Sequence, residues 1–354
     1  MGNATAKDIA KKLGLSPATV SVALNGKPGV SQATRERVLA AAAELGYAMT
    51  KGILPEHNLL CFLIYTDPAV GVARETTFYT FVLQGVETAA KALGYRILIR
   101  HYDADCGFEE QVCDILGDIS GMIVLGTDMT LSRRAALGPF LGETELPFPI
   151  VIIDNFTFSA YLDCVGNDNL YGAKSAISHL IDLGHRRIGY LRAQQRITNF
   201  DDREHGIKMA LLEHTGPDAP PLEIIPVDIA ADKAFADVSA WLRGCTSLPD
   251  ALFAENDVVA AAAIRALKAN RVRVPDDVSI MGFDNVPICE MVDPTISTVH
   301  SFKEKLGSTA VSLLHRRILN RDTVRTAQAS GVVKIAMSTR IIDRSSVVRR
   351  TDRD

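Results

Sequence analysis

The chain has 354 residues, of which 47% are hydrophobic and 23% are charged. This length is too great for one small domain and suits two or three domains with sizeable apolar cores. Residues 1–55 contain seven basic and three acidic residues, although the whole chain has a formal net charge of −4. A basic amino-terminal segment on an acidic body indicates that a nucleic acid contacts one end only.

The sequence also excludes several classes of protein. Residues 1–6 lack the apolar segment of a secretory signal, and Ala6 breaks the myristoylation pattern. No apolar run approaches the length of a membrane span. The six cysteines are scattered without a CxxC pair, which is typical of reduced core residues. We therefore expect a cytoplasmic protein with no membrane contact, no metal and no cofactor.

Three short helices are predicted between Thr5 and Tyr47. Thr5 is expected to cap the first helix, Ser16 the second and Ser31 the third. Two short helices around a glycine turn, supported by a third, form the helix-turn-helix pattern, whose second helix lies in the major groove. If only Val20, Ala23 and Leu24 are buried, the outward face of that helix consists of Pro17, Ala18, Thr19, Ser21 and Val22.

The runs DIAKKLGLSPATVSVALNG (8–26) and VSQATRERVLAAAAELGY (30–47) resemble the DNA-binding headpiece of LacI/GalR-family transcriptional regulators. The resemblance implies a homodimer that places two headpieces on a pseudo-palindromic operator. Pro17, Ala18 and Val22 are then expected to meet base edges, where apolar groups can touch thymine methyls. Lysines, arginines and short polar side chains are expected to anchor phosphates, the polar ones being Thr5, Ser16, Ser21, Asn25, Ser31 and Thr34.

Residues 48–58 are predicted to link the headpiece to the rest of the chain. In the resembled family this place holds a hinge helix that begins Tyr-x-Pro-Asn and inserts a leucine into the minor groove. Here Met49 and Thr50 replace Pro-Asn, and Pro55 bars a continuous helix. Ile53 or Leu54 could still act as an apolar wedge, while the alternative is a tethering coil.

From Leu59 onward, short apolar runs alternate with amphipathic helical stretches. The expected strands are 59–65, 95–99, 121–126, 149–154, 187–191, 223–227, 251–254 and 278–283. The expected helices include 81–94, 172–184 and 258–270. This alternation predicts an α/β fold with parallel sheets flanked by helices, either as one large sheet or as two lobes.

Short acidic and amide side chains follow several of these strands. They are Asp67, Asp128, Asp154-Asn155, Glu255-Asn256-Asp257 and Asp284-Asn285. Ligands bind outside the carboxyl ends of parallel strands, so the set suggests a cleft rich in hydrogen-bond acceptors for a hydroxylated or cationic small molecule. The same residue types also favour turns and helix caps.

Residues 59–345 resemble the two-lobed periplasmic-binding-protein-like effector domain of the same family. The matching motifs include GNDN (166–169), LGHRRIG (183–189), Arg203-x-x-Gly206, PDALFAEND (249–257) and VPDDVSIMGFDN (274–285). We expect residues 1–47 to form the headpiece and 59–346 the effector and dimerisation domain. Lobe 1 is expected at about 59–160 and 290–322, lobe 2 at about 161–289 and 323–346, and a tail at 347–354.

The match also implies an effector site. Phe78 and Tyr79 are expected to cover the ligand, while Asp154, Arg203, Asn256 and Asp284 are expected to hydrogen-bond it. Phe78 and Tyr79 could alternatively be core residues, and Asp284 could serve only to form a turn. The alternative for Arg203 is a surface ion pair with Asp201, Asp202 or Glu204. Ile229 stands where many relatives place a stacking aromatic, which weighs against a flat pyranose or purine ring.

The sequence contains none of four common enzyme motifs: it has no P-loop, no GxGxxG after a strand, no GxSxG and no HExxH. One rival is a transporter's solute-binding protein, against which the headpiece and the missing signal peptide both count. Another is a DNA-binding architectural protein that has lost its effector. We predict a repressor that binds operator DNA as a homodimer and is controlled by a sugar or related metabolite. The tail has no leucine heptads, so a coiled-coil tetramer is not expected.

Overall fold

The structure is a computed structural model that describes residues 5–24, 29–44, 58–72, 77–131, 137–138, 140, 146–216 and 222–350. The predicted DNA contacts of Asn25, Ile53 and Leu54 lie outside the described residues. So do most of the predicted linker and residues 351–354 of the predicted tail.

The headpiece consists of α1 (Ala6–Leu13), α2 (Pro17–Leu24) and α3 (Gln32–Glu44). The Thr5 amide and hydroxyl donate to the Asp8 carboxylate at 2.7 and 2.6 Å, and Gly14 ends α1 with φ 65°. Ser16 and Ser31 cap the next two helices by accepting from the amides of the residues three positions on, at 3.0 and 3.2 Å. The small core that results contains Ile9, Ala10, Val20, Ala23, Leu24, Val38, Ala41 and Ala42.

Two six-stranded sheets follow, each flanked by helices. The first has the strand order β11-β5-β4-β3-β1-β2, and the second has β12-β10-β9-β8-β6-β7. Within the described residues every neighbouring pair is parallel except β10 and β12. The strands are β1 (Leu59–Thr66), β2 (Arg96–Asp103), β3 (Gly121–Leu125), β4 (Ile150–Ile153), β5 (Asp163–Asn167), β6 (Ile188–Ala193), β7 (Glu223–Val227), β8 (Ala251–Ala254), β9 (Ser279–Asp284), β10 (Ser297–His300), β11 (Lys334–Met337) and β12 (Arg340–Ile342).

Helices cover both faces of the sheets, as parallel sheets require. They are α4 (Phe78–Ala92), α5 (Phe108–Val112), α6 (Asn169–Asp182), α7 (Thr198–Thr215), α8 (Ala231–Gly244), α9 (Asp257–Ala269), α10 (Ile288–Met291), α11 (Lys303–Leu319) and α12 (Val324–Ser330). Helices α6 and α7 pack closely because Gly206 of α7 lies against the Leu170 carbonyl. Helices α4 and α11 meet in the same way at Gly85 and Gly307.

All eight predicted strands are confirmed, and they divide between two sheets. The four strands missing from the prediction are β5, β10, β11 and β12. They are short, and β5 (DCVGN) and β10 (STVH) contain small and polar residues rather than a continuous apolar run. Such strands form because neighbouring strands offer a ladder, which local sequence does not reveal.

The predicted lobe boundaries are wrong at three places. Strand β5 pairs with β4 and belongs to lobe 1, whereas β10 pairs with β9 and belongs to lobe 2. Strand β11 pairs with β5, so it returns to lobe 1. Lobe 1 therefore comprises the described residues within 59–167 and 303–337, and lobe 2 comprises those within 169–300 and 340–350.

The first residues of the predicted tail are part of lobe 2. The Val348 amide donates to Ser279 Oγ at 3.3 Å, and the Arg350 amide donates to the Leu183 carbonyl at 2.8 Å. The chain consequently passes between the lobes three times, after β5, after β10 and after β11.

Candidate effector site and DNA-binding surface

One cavity lies between the carboxyl ends of the strands of the two lobes. It is lined by all six predicted effector residues, together with Val72, Thr127, Ile197, Asn199 and Phe200. Its volume is about 20 Å³, which is room for about one water molecule. A larger ligand therefore requires the lining side chains, or the lobes themselves, to move apart.

Arg203 is buried at the centre of this site, with 4% of its surface exposed. Its Nε donates to Asn169 Oδ1 at 2.9 Å, its Nη2 donates to Asp284 Oδ1 at 3.3 Å, and its Nη1 donates to the Glu255 carbonyl. The guanidinium also stacks over the Phe283 ring, 3.7 Å from the centroid. Each nitrogen of the fork thus has a partner.

The alternative of a surface ion pair for Arg203 is wrong. Asp201 and Glu204 instead pair with Arg196, at 2.8 and 3.3 Å from its Nη2. Arg203 lies one helical turn from Asn199 on α7, and both face the cavity. Helical periodicity therefore directs the Arg203 side chain into the cavity, whereas Asp201 and Glu204 lie on other sides of α7 and pair with Arg196.

Asp154 directly follows β4 of lobe 1 and Asp284 ends β9 of lobe 2, and they have the positive φ values 64° and 102°. This region of φ is uncommon for residues other than glycine and is tolerated best by Asn and Asp. Thr127 donates its hydroxyl to Asp154 Oδ2 at 2.8 Å. Asn199 donates to the Asp154 carbonyl across the cleft at 3.0 Å, so the two lobes touch here.

Burial raises the pKa of Asp154 to about 7, with a further contribution from the negative charge of Asp284 and against the lowering effect of the Thr127 hydrogen bond, all included in that value. Near neutral pH, Asp154 is therefore divided between its two protonation states. When it is ionised, two carboxylates from opposite lobes repel each other across the cavity.

Replacing Asp154 by asparagine should flatten the pH dependence of stability. In the wild type the folded pKa lies above the unfolded value, so the folded protein loses stability as pH rises from about 4 to 7. The asparagine side chain cannot ionise but can still accept from Thr127. The unfolding free energy of D154N minus that of the wild type should thus rise by about 2.6 kcal/mol between pH 5 and pH 8. Urea unfolding at both pH values measures it, and parallel pH profiles would contradict the assignment.

Asn256 has a structural task as well as a place in the cavity. Its Oδ1 accepts from the Val259 amide at 2.9 Å and thereby caps α9. The acceptor of the amide is thus already engaged, and the group that Asn256 can offer a ligand is its N–H donor.

Phe78 and Tyr79 begin α4 and pack edge to face, with centroids 5.3 Å apart. Phe78 belongs to the apolar core of lobe 1 and also lines the cavity. It therefore occupies both the core position given as the alternative and the position at the cleft that was predicted for it. Burial holds the pKa of Tyr79 well above its usual range. Its hydroxyl is therefore neutral and can donate.

Five lining residues were absent from the prediction. Thr127 directly precedes Asp128 in the turn after β3. The expectation that ligands bind at the carboxyl ends of strands therefore identified the correct turn, but Thr127 rather than Asp128 lines the cavity. Val72, Ile197 and Phe200 form an apolar cluster with Ala193 and Ile229. Ile229 packs in that cluster and is not among the residues that line the cavity.

The other strand-end acids support the fold rather than the cavity. Glu255 accepts from the Tyr190 hydroxyl at 2.6 Å and from Arg196 at 3.0 Å. Asp257 accepts from the Thr298 hydroxyl at 2.6 Å and from the Val286 amide at 2.9 Å. The described residues contain no group of three His, Cys, Asp or Glu side chains that could hold a metal ion.

The outward face predicted for α2 is present. Pro17, Ala18 and Ser21 are exposed, while Thr19 and Val22 are half-buried. Several of the predicted phosphate anchors also hydrogen-bond within the headpiece, since Ser16 shares a 2.8 Å bond with Thr19 and Ser31 shares one with Thr34. These bonds fix the hydroxyls at the helix starts, and their contact with phosphate stays a prediction.

Comparison with known proteins identifies both parts of the chain. The model of bacterial regulatory proteins of the lacI family matches residues 5–49, and that of the periplasmic binding protein-like domain matches residues 177–347. The HTH-type transcriptional repressor PurR of Aliivibrio salmonicida (strain LFI1238) is 30% identical over 320 residues, covering 90% of this chain and 93% of the relative. The repressor CytR of Escherichia coli (strain K12) is 31% identical over 320 residues, covering 88% and 89%.

Solved structures agree in fold. A complex of the transcriptional regulator CelR with cellobiose has 26% identity and a TM-score of 0.65, covering 97% of this chain and all of the other. The lac repressor dimer bound to operator and the anti-inducer ONPF has 22% identity and a TM-score of 0.65, covering 98% and 100%.

Among the residues that the structure describes, no helix is both long and apolar enough to cross a membrane. The relatives are transcriptional repressors rather than enzymes. The chain has a helix-turn-helix headpiece and two lobes built on largely parallel sheets, and its relatives match nearly its whole length. The chain belongs to the LacI family of DNA-binding transcriptional regulators.

Proposed function

We propose that the chain is a cytoplasmic repressor that binds a pseudo-palindromic operator as a homodimer and is controlled by a hydroxyl-rich small molecule, such as a sugar, held between its lobes. The observation that carries this proposal is the meeting of Phe78, Tyr79, Asp154, Arg203, Asn256 and Asp284 around one cavity. Their side chains come from both lobes, so a ligand that contacts all six also fixes the spacing of the lobes.

The lining chemistry favours a neutral polyol. Asp154 and Asp284 accept hydrogen bonds, Asn256 and Tyr79 donate them, and apolar groups cover C–H surfaces. An anionic ligand would have to compete with Asp284 for Arg203 and would meet two carboxylates. The CelR structure, which is described as a complex with cellobiose, supports a sugar as the class of effector.

Contacts across the cleft explain how a ligand could act on DNA. Asn199 of lobe 2 holds the Asp154 carbonyl, and Thr157 shares a 2.6 Å hydrogen bond with Thr198. Since the cavity is small, effector entry must alter these contacts and hence the arrangement of the lobes. Two headpieces tethered to a dimer of such lobes would then change their spacing on the operator.

The dimer is proposed to pair through an apolar surface on lobe 2 formed by α9 and α10. Ala261, Ala262, Ile264, Ile288 and Val292 line a groove there. Met291, at the end of α10, is 79% exposed. The groove is also lined by the charged residues Arg265, Lys268 and Asp293, and an apolar groove with polar residues beside a large exposed methionine is typical of a protein interface.

Replacing Met291 by aspartate should weaken dimerisation, because association would bury an unpaired charge. The sedimentation coefficient at micromolar protein should shift toward the monomer, and operator affinity should fall at least tenfold. Met209, at 36% exposure on α7, provides a control, since Met209→Asp lies outside the proposed surface. A wholly dimeric M291D would place the interface elsewhere.

Binding-site selection tests the DNA part of the proposal. Purified full-length protein is incubated with random duplex DNA at fixed salt, and the retained DNA is sequenced. An inverted repeat is expected, and Val22→Ala should change the preferred base at one position of each half-site, because Val22 is proposed to meet a base edge. Unchanged specificity would remove Val22 from the reading surface.

Melting-temperature screening tests the sensor part. A panel of sugars and polyols is added to the protein, and a ligand at 100 times its Kd should add about 2.7 kcal/mol to stability. A panel that shifts nothing, for a protein that still selects an operator, would favour the rival in which the effector domain is architectural.

A further inference from the structure

A set of exposed cations lies on elements that meet at the edge of lobe 1 opposite the cleft. We call it the basic rim, and it consists of Lys91, Arg96, Arg316, Arg321 and Arg325. These residues come from the last turns of α4 and α11, the start of β2, the turn after α11, and α12. None of the headpiece motifs or effector residues accounts for them.

Hydrogen bonds and ion pairs bring these elements to one edge. Helix α11 begins at Lys303, near the cleft, where its Nζ donates to the Asp284 carbonyl at 2.6 Å. Its last turns reach the amino ends of the lobe 1 strands, since Tyr95 before β2 bonds His315 at 2.9 Å and Asp163 of β5 pairs with Arg317 at 2.7 Å. Helix α12 lies at the same edge, because Gln328 donates to the Tyr161 carbonyl before β5 at 3.0 Å.

The rim has an excess of positive charge. Glu87, Asp118 and Asp322 are described carboxylates near these cations along the chain. Asp322 already pairs with the buried Arg317 at 3.2 Å. Among the described residues, these exposed cations outnumber the carboxylates near them along the chain, which favours a positive surface potential that attracts a polyanion.

The same edge is where the headpiece is attached. Strand β1 starts there, because the Ser120 amide donates to the Leu59 carbonyl at 2.9 Å and the Arg96 amide donates to the Asn58 carbonyl at 2.7 Å. Residues 45–57 join α3 to this point and can span at most about 50 Å. The headpiece, and any DNA that it holds, is therefore tethered to the same edge of the lobe that carries the rim.

We propose that the basic rim of lobe 1 contacts the phosphates of the bound DNA, as a second DNA surface beside the headpiece. Lysine and arginine on phosphate oxygens add affinity without reading sequence. Each phosphate neutralised releases condensed counterions and makes the plot of log K against log salt steeper by about 0.9. The rim would hold operator and neighbouring DNA alike, while α2 selects the site.

The test compares the salt dependence of DNA binding in two matched variants of the full-length protein. In the rim variant, Lys91, Arg316, Arg321 and Arg325 are changed to glutamine, and Arg96 is kept because it bonds Asn58. In the control variant, the exposed lobe 2 cations Arg186, Lys208, Lys233 and Arg243 are changed to glutamine. Both variants lose the same charge, so a general effect of net charge is matched.

The rim variant is expected to show a slope shallower by about two or more and a loss of operator affinity of about tenfold or more at low salt, with base preference unchanged. The control variant should keep the wild-type slope. Equal slopes in rim variant and wild type, or equal losses in rim and control variants, would overturn the proposal and leave the headpiece's role intact. If the rim variant melts early, the pairs Lys91/Arg316 and Arg321/Arg325, each changed separately, give the same test.

Discussion

Replacing Arg203 by methionine is expected to abolish the effect of any effector on operator binding and to lower the free energy of unfolding by about 3–5 kcal/mol. Methionine fills similar volume but leaves Asp284 buried without its cation and leaves Asn169 Oδ1 and the Glu255 carbonyl without their donors. An uncompensated buried charge is among the largest single destabilising changes in a protein. Urea unfolding measures the stability, and operator titration with the effector measures the response.

Two variants separate the charge of Arg203 from its shape. Arg203→Lys keeps the charge but loses the planar fork, so it should recover part of the stability and little of the effector response. The double change Arg203→Met with Asp284→Asn removes both charges, and its loss of stability should be smaller than the sum of the single losses. An R203M protein that answers its effector normally would contradict the site assignment.

Replacing Gly206 by alanine is expected to destabilise the protein by about 3 kcal/mol and to weaken effector binding as well. A Cβ at this position would lie 2.1 Å from the Leu170 carbonyl oxygen, so α6 and α7 must separate. Overpacking against backbone is relieved only by moving whole helices, because no flexible side chain can yield. Helix α7 carries Asn199 and Arg203, so its displacement reaches the cavity.

Gly244 provides the matched control for Gly206. It also lies in a helix, yet a Cβ there meets no heavy atom within 4 Å. Gly244→Ala should be neutral or stabilise by up to about 1 kcal/mol through the unfolded state. Calorimetry on both variants checks the contrast, and similar melting temperatures would mean that the helix contact at Gly206 is looser than described.

The sequence indicated the headpiece well because its signals are local. Thr5, Ser16 and Ser31 start their helices as predicted, and Gly14 ends the first helix in the left-handed region. Capping and glycine conformations depend on a few neighbouring residues, so they can be recognised without tertiary structure.

Lobe boundaries were harder to predict because they depend on strand pairing between distant segments. Nothing in the run DCVGN (163–167) indicates that it would join the strand IVII (150–153) rather than the sheet that follows. The three passages between lobes are likewise a property of topology. Register and partner choice come from packing partners that a local pattern does not contain.

The candidate site was predicted as a set of residues but not as a network. Resemblance placed Arg203 and Asp284 in the cleft, whereas the stacking of Arg203 on Phe283 and its bond to Asn169 appear only in three dimensions. Thr127 and Asn199 were missed because a lone hydroxyl or amide carries no motif. Both residues contact Asp154, and the sequence alone does not show that these three residues lie together.

Linkage between the cleft and the headpiece is the central feature of the proposed mechanism. The most direct measurement is the operator affinity of the full-length protein at fixed salt, with and without a ligand that raises its melting temperature. We expect the ligand to change operator affinity by about fivefold or more. By thermodynamic linkage, operator DNA should change the affinity for the ligand by the same factor. A ligand that binds the cleft tightly and leaves operator affinity unchanged would contradict the mechanism.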